Sequence, residues 1–399
     1  MFEAIIAFSV VKTLSWRYKY YFGTMINGIA QIMVIVFYRP PGWVELHPDG
    51  KSRTRQLKDP DYVGVLLMAG GLISFLLGVL WGGNPYSWTS VTVVVPLLVG
   101  GIVLHSISPY ETSNALTGLT MAILLHLWEF YSPADMNRLF SGKLITNVRS
   151  VILPLFITFA SGLAQLYGLQ VYWPQLIQTL FTTEPDRAGW LSFVLNAAGT
   201  IGIMTPGIFF GILKRTLLQL VAYTTLQTVF PAAMSTIIQH SLARTVVLAI
   251  FTGWALSSTM IVSVLFVQYG VGDDRLRISN GLHGTIVNSG AAIGFAIYGS
   301  IVNNKVKYTM GPTMATALVG AGLPANSVEP FLGAFLTGNS NVLAGIDGVT
   351  PTVLAAATSA ARDVYTQAYR ILFLVTTAFT GAAFIGSLFV PSVDIHLTQ

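Results

Sequence analysis

The residues best equipped for chemistry in this sequence are neutral, polar and embedded in long apolar runs. Gln165, Tyr167, Gln170 and Tyr172 fall within 150–173, Asn196 within 188–213, and Tyr223 and Gln227 within 216–238. Trp254, Ser257, Ser258 and Thr259 fall within 245–268, and Asn288 within 282–303. An amide or hydroxyl left unpaired in hydrocarbon is costly, so each should face another helix or a cavity. Two uses are open to the set. The groups can hydrogen-bond between helices, or they can line a pathway for an amphipathic organic molecule, which calls for both aromatic faces and hydrogen bonds. Ionisable residues are nearly absent from the same runs. His126 and Glu129, in LLHLWEFY, are the main exception. A carboxylate in a membrane segment is a candidate proton relay. Glu129 also lies close to the expected cytosolic end of its segment, where it can reach water.

Other chemistries lack their residues. There is no phosphate-binding glycine loop and no His-Glu-x-x-His string. The histidines, His47, His105, His126, His240, His283 and His396, share no metal-ligand spacing, and the sequence contains no Cys. No enzyme site, metal or cofactor is expected.

The elements that must carry these residues follow from composition. The chain is 53% hydrophobic and 9% charged, with mean hydropathy +0.66. Soluble domains carry about 25% charged residues. Continuous apolar runs of about 20 residues recur along the length, the span of a bilayer core. The fold class is therefore an all-α membrane protein that crosses several times, and lipid is its solvent. The runs do not alternate, which excludes a barrel. Spans are expected at 20–38, 62–81, 91–108, 150–173, 188–213, 216–238, 245–268, 282–303 and 370–390, with 115–130 ambiguous. The start, MFEAIIAFSVVKTLSW, lacks the form of a signal peptide, since its apolar part is short and Glu3 interrupts it.

The string VLWGGNPYSWTS, residues 79–90, reads as a tight turn between two antiparallel spans. Gly82, Gly83, Asn84 and Pro85 break the helix. Trp81, Tyr86 and Trp88 suit the headgroup layer. The net charge of +5 points to topology rather than to nucleic acid. Twelve of the 21 Lys and Arg fall in 39–61, 131–149, 214–215 and 269–281, which alternation puts on one side. That side should be cytosolic. The regions 91–108 and 115–130 must then cross an odd number of times between them, so one of the two is re-entrant, interfacial or not a span. The expected organisation is 1–19, a remnant of a preceding helix and outer turn; 20–149, membrane helices with a cytosolic loop at 39–61; 150–303, a C-terminal bundle; 304–369, a long extracellular loop; and 370–399, a last helix and short tail. Within the loop, 352–368 reads as a short amphipathic helix lying at the interface. Gly199, Gly202, Gly207 and Gly211, and Gly290, Gly294 and Gly299, should allow close helix approach. Pro206 should kink its helix.

Several stretches together resemble the fungal fourteen-helix drug:proton antiporters of the major facilitator superfamily, in particular the trichothecene efflux group and the related siderophore-iron transporters. SWRYKYYFGTMINGIAQIMVIVFYRPP resembles that family's sixth helix. DPDYVGVLLMAGGLISFLLGVLWGGNPYSWTS resembles its seventh helix and outer turn. LWEFY, AGW, GLP and AYRILFLVTTAFTGAAFIGSLFVPSVD follow in the family's order. The resemblance covers essentially everything from about residue 12. It implies a major facilitator fold represented by about nine helices, with proton-driven efflux of a small toxin or drug by alternating access. Siderophore-iron uptake is the alternative. The membrane it implies is the plasma membrane, with the vacuolar membrane as the other option. Small-molecule substrate, protons and lipid would be its partners. The chain also departs from the pattern. The five helices that precede this point in the family, with much of its proton-coupling machinery, have no counterpart. Val287 or Asn288 stands where many relatives carry an Arg. The stretch 105–124 matches nothing in the family. A truncated chain is thus expected, and with it a reading of another class: a non-transporting fragment or an interaction partner held in an assembly.

Overall fold

The computed structural model of the protein describes residues 3–39, 62–82, 86–106, 148–164, 169–238, 240–271, 276–336, 342–343 and 345–393. Among the described residues there is no strand, and nearly all lie in helices. Helix α1 is Glu3–Thr13 and α2 is Arg17–Phe37. Helices α3, Tyr62–Trp81, and α4, Val91–Ser106, follow. A π-helical turn, Val148–Ile152, leads into α5, Leu153–Ala164. Helix α6, Gln170–Leu176, continues as a second π-helical turn to Phe181. Then come α7, Pro185–Leu213, α8, Thr216–Met234, and α9, Leu242–Val271. Helix α10 is Leu276–Gly320, α11 is Ala325–Leu336 and α12 is Pro351–Ser387.

Six of these helices, α2, α7, α8, α9, α10 and α12, are long and apolar enough to cross a membrane. Three shorter apolar segments, Ala69–Trp81, Val91–Gly101 and Val148–Ala164, fall where the other expected spans lie. The expected hairpin is present in α3 and α4, which pack along each other. A Cβ on Gly100 would meet the Phe75 backbone, and one on Gly78 would meet Leu97, so both glycines set the approach. At the turn Trp81 and Tyr86 meet edge to face with centroids 6.1 Å apart. Residues 83–85 of that turn, the loop 39–61 beyond Arg39, and the ambiguous segment 115–130 lie outside the described residues.

Helix α5 is the centre of the main bundle. Most of its side chains are buried, from Pro154 to Ala164, and it packs against α9, α10 and α12. Helix α7 lies on α9, while α8 bridges α9 and α12. Backbone contact makes this packing tight. A Cβ at Gly162, Gly290 or Gly294 would strike the carbonyl of Val287, Phe159 or Leu163 across the α5–α10 seam. Gly202 faces the Trp254 carbonyl across the α7–α9 seam in the same way. Small residues let two backbones approach where lipid supplies no hydrophobic force between helices. Gly207 and Gly211 do not behave as expected. Nothing lies within 4 Å of a Cβ at either one. They sit beyond Pro206, in the stretch where Ile208 and Ile212 are exposed.

The stretch 304–369, expected as a long extracellular loop, is largely helical among the described residues. Helix α10 runs straight through it to Gly320, α11 follows, and α12 begins at Pro351. Thr350 caps α12, its hydroxyl accepting from the Val353 N–H. The expected interfacial helix at 352–368 is simply the first half of α12. Met310, Met314 and Leu318 recur on one face of α10 and pack against Phe331, Val353, Ala357, Ala360 and Val364. This apolar spacing of three and four residues makes a helical cap with its own small core.

At the other end of the chain, α1 packs on α7, and Phe8 joins the main core. Lys12 forms a salt bridge with Asp186 at the start of α7, with both side chains 52% exposed. Helix α2 buries none of its residues.

Candidate functional site

Helix α8 carries its polar residues at helical spacing. Gln219, Tyr223 and Gln227 follow one another every four residues, and all three are buried. The same face carries Leu220 and Thr224, so it packs into the bundle rather than onto lipid. Gln227 Oε1 accepts a hydrogen bond from Ser161 Oγ of α5 at 3.0 Å. One turn earlier on α5, Thr158 Oγ1 donates to Ser263 Oγ of α9 at 2.9 Å. Thr224 pairs with Ser387 of α12 at 2.9 Å. A polar seam therefore ties α5, α8, α9 and α12 together inside an apolar core of Ile157, Ala160, Leu220, Val262 and Phe266.

Tyr223 connects the seam to an aromatic corner. Its ring meets Trp254 edge to face, centroids 5.6 Å apart. Trp254 Nε1 donates to Thr205 Oγ1 of α7 at 3.0 Å. Thr205 and Trp254 are half-buried, so this corner reaches the edge of the bundle between α7 and α9. Ser258 Oγ lies 2.9 Å from the Gly202 carbonyl and 2.8 Å from that of Trp254, and donates to both. Ser257 is buried beside Gly202, and Thr259 is buried with its hydroxyl on the Ala255 carbonyl. An indole face with hydroxyls and an amide nearby can stack a flat or alicyclic solute and bond its oxygens.

The corner unites Tyr223, Trp254, Ser257 and Ser258 from the expected set, and Gln227 lies in the adjoining seam. It does not include the others. Asn288 is exposed, and its Nδ2 donates to the Gly284 carbonyl of its own helix at 2.7 Å. Gln170 is exposed as well, and Asn196 is half-buried elsewhere on α7. Tyr172 belongs to a separate aromatic cluster, stacked on Phe295 and edge-on to Tyr298, whose hydroxyl accepts from Thr376 Oγ1 at 2.7 Å. Gln165, Tyr167, His126 and Glu129 lie outside the described residues. Sequence reading missed Thr205, Ser161 and Ser263, because single hydroxyls carry no spacing signal. It also missed Gln219, although its four-residue offset from Tyr223 was in plain view. Among the described residues no group of three or more His, Cys, Asp or Glu is arranged to hold a metal. A groove of about 570 Å³ lies apart from the corner, between the outer halves of α10 and α12, beside Thr313, Thr316, Ser359 and Asp363.

The profile of the fungal trichothecene efflux pump family (TRI12) matches residues 8–399. The chain belongs to that family. Over 389 residues it is 24% identical to the trichothecene efflux pump TRI12 of Fusarium sporotrichioides, covering 96% of this chain and 62% of the relative. It is 25% identical to the MFS-type transporter prx5 of Penicillium rubens, covering 96% and 66%. The MFS-type efflux transporter ffsH of Aspergillus flavipes is 22% identical, covering 98% and 63%. The chain thus spans a little under two thirds of the length of the first of these relatives. With its apolar helices, this membership makes it an integral membrane protein of the major facilitator type.

Proposed function

We propose that the protein serves efflux of a small amphipathic organic compound, a toxin or drug, driven by protons through alternating access. The family match over 8–399 is the observation that carries this reading. The aromatic corner adds to it. Trp254, Tyr223, Ser257 and Ser258 would meet the solute where α7 and α9 part, with Gln227 behind them holding α8 to α5. Gln165, Tyr167, Gln170, Asn196 and Asn288 would line more distant stretches of the path, and Glu129 would relay protons. The bare glycine contacts between α7 and α9 and the Pro206 site in α7 suit helices that rock against each other. The proposed membrane is the plasma membrane, with 39–61 cytosolic and the α10–α12 cap outside.

The test is export of a labelled amphipathic toxin from cells that express the gene, with Trp254→Ala as the comparison. Under this reading the variant reaches the membrane and loses most of the export. Equal export from both would remove the corner from the pathway. No export from either, with both proteins in the membrane, would favour the second reading, a membrane interaction partner. One observation speaks for that alternative: the whole length of α2 is unburied. Nothing here favours siderophore uptake in particular.

A further inference from the structure

We infer that the buried face of α8 holds ordered water, bound by the amides of Gln219 and Gln227. Gln219 is 3% exposed, and neither its Oε1 nor its Nε2 has a hydrogen-bond partner among the described residues. Gln227 is fully buried and spends its oxygen on Ser161, leaving Nε2 without a partner. These are two independent orphans on one face of one helix, two turns apart, with Tyr223 between them in register. A buried amide without a partner is strongly disfavoured relative to one that is solvated. A helix that carried two such amides in its packed face would not be expected to hold that face inward. Something small must bond them.

The occupant is water rather than substrate, on grounds of space and access. The face lies within the packing of α8 on α9 and α12, with Leu220, Val262, Phe266 and Ala383 around it. Neither the 570 Å³ groove nor the small void near Tyr369 is lined by any α8 amide. Water needs only about one probe sphere of room and two to four polar partners. Gln219 alone offers two of them, Oε1 and Nε2, to one water, and Gln227 Nε2, about 12 Å further along the helix, takes a second. Entry is short. The Gln219 N–H bonds the Arg215 carbonyl, so the amide sits one turn from the exposed basic turn Lys214–Arg215. The inference stands whether or not the chain exports anything.

The experiment is X-ray hydroxyl-radical footprinting of the purified protein in H2(18)O, read by mass spectrometry at tyrosines. Tyr223 is 5% exposed, against 8% for Tyr172 and 0% for Tyr298. Surface area alone therefore ranks Tyr172 above Tyr223. Water on the α8 face reverses that order: Tyr223 is oxidised several-fold faster than both controls. Labelling of Tyr223 at or below the Tyr172 rate overturns the inference. A second measurement uses Gln219→Met, which keeps the length and removes the amide. If the amide is truly orphaned, the variant melts at a higher temperature. If water satisfies it, the variant loses stability and Tyr223 labelling drops. A rise in melting temperature would overturn the inference independently of the footprint.

Discussion

At the residue scale, the Trp254–Thr205 bond is the contact most open to dissection. Trp254→Phe keeps an aromatic ring facing Tyr223, though a smaller one, and removes the donor. Such a neutral bond contributes about 0.5–1.5 kcal/mol. Trp254→Phe and Thr205→Val should each lower stability by an amount in that range, and the double variant should cost little more than either alone. Thermal unfolding in detergent measures all three, and full additivity would mean the bond contributes nothing. Lys12 gives a pH-dependent case. Its ammonium is held above the ordinary lysine range, first by its hydrogen bond to Asp186 and then by that carboxylate's charge. A raised amine pKa favours the docked, charged form. Its contribution is whole below the unfolded value of about 10.4 and is lost as pH rises through the raised value. The pair is half exposed, so salt weakens it too. Spin labels on α1 and α7 should show their distance distribution broaden at high pH or high salt, and Lys12→Met should be broad throughout. A variant as narrow as the native protein would show that apolar packing alone holds α1.

At the scale of elements, the glycines separate by what lies beside them. Gly290→Ala and Gly294→Ala put a methyl against a carbonyl of α5, and Gly202→Ala puts one against α9. Backbone cannot step aside, so each of the three should sharply lower the melting temperature and the yield of monodisperse protein. Gly207→Ala and Gly211→Ala meet open space and gain up to about 1 kcal/mol of helix propensity. Gel filtration and thermal unfolding decide the contrast, and a uniform effect across all five would defeat the packing argument. This is also where sequence reading was partial. Glycine density located both seams, but density cannot say which side of a helix a neighbour occupies. Gly207 and Gly211 were therefore counted with Gly202. The hairpin of α3 and α4 was legible because its turn residues and interfacial aromatics agree. The cap was not, because 304–369 is more polar than the spans around it, although its apolar residues keep helical spacing. In the site, Tyr223, Gln227 and Trp254 stood out as polar or aromatic residues inside apolar runs. Thr205 did not, since its role comes from the partner helix.

At the scale of the whole molecule, α1 and α7 join the amino-terminal segment to the main bundle, and α2 extends from that junction without burying a residue. The sequence has no Cys, so engineered thiols report without background. Lys12→Cys with Asp186→Cys should be bridged by a short bifunctional thiol reagent with a reducible link, which restores the reach that the lysine side chain supplies. If the two parts rock during export, as the proposed function requires, the cross-linked protein should lose export and regain it on reduction. Unchanged export in the cross-linked state would mean that α1 and α7 never separate in the working cycle.

Helix α10 has 45 residues and α12 has 37. At about 1.5 Å per residue, α10 is about 68 Å long, more than twice a bilayer core of about 30 Å. The two helices share the cap core at one end and the tight α5 contacts at the other, so a tilt at the α5 end is carried to the cap by both, with Pro312 the point in α10 most open to bending. A tilt of about 10° at the α5 end sweeps a tip about 35 Å away through roughly 6 Å. Any rocking of the bundle would therefore be amplified beyond the lipid, and an antibody fragment that clamps the cap would act as a brake on motion it never touches.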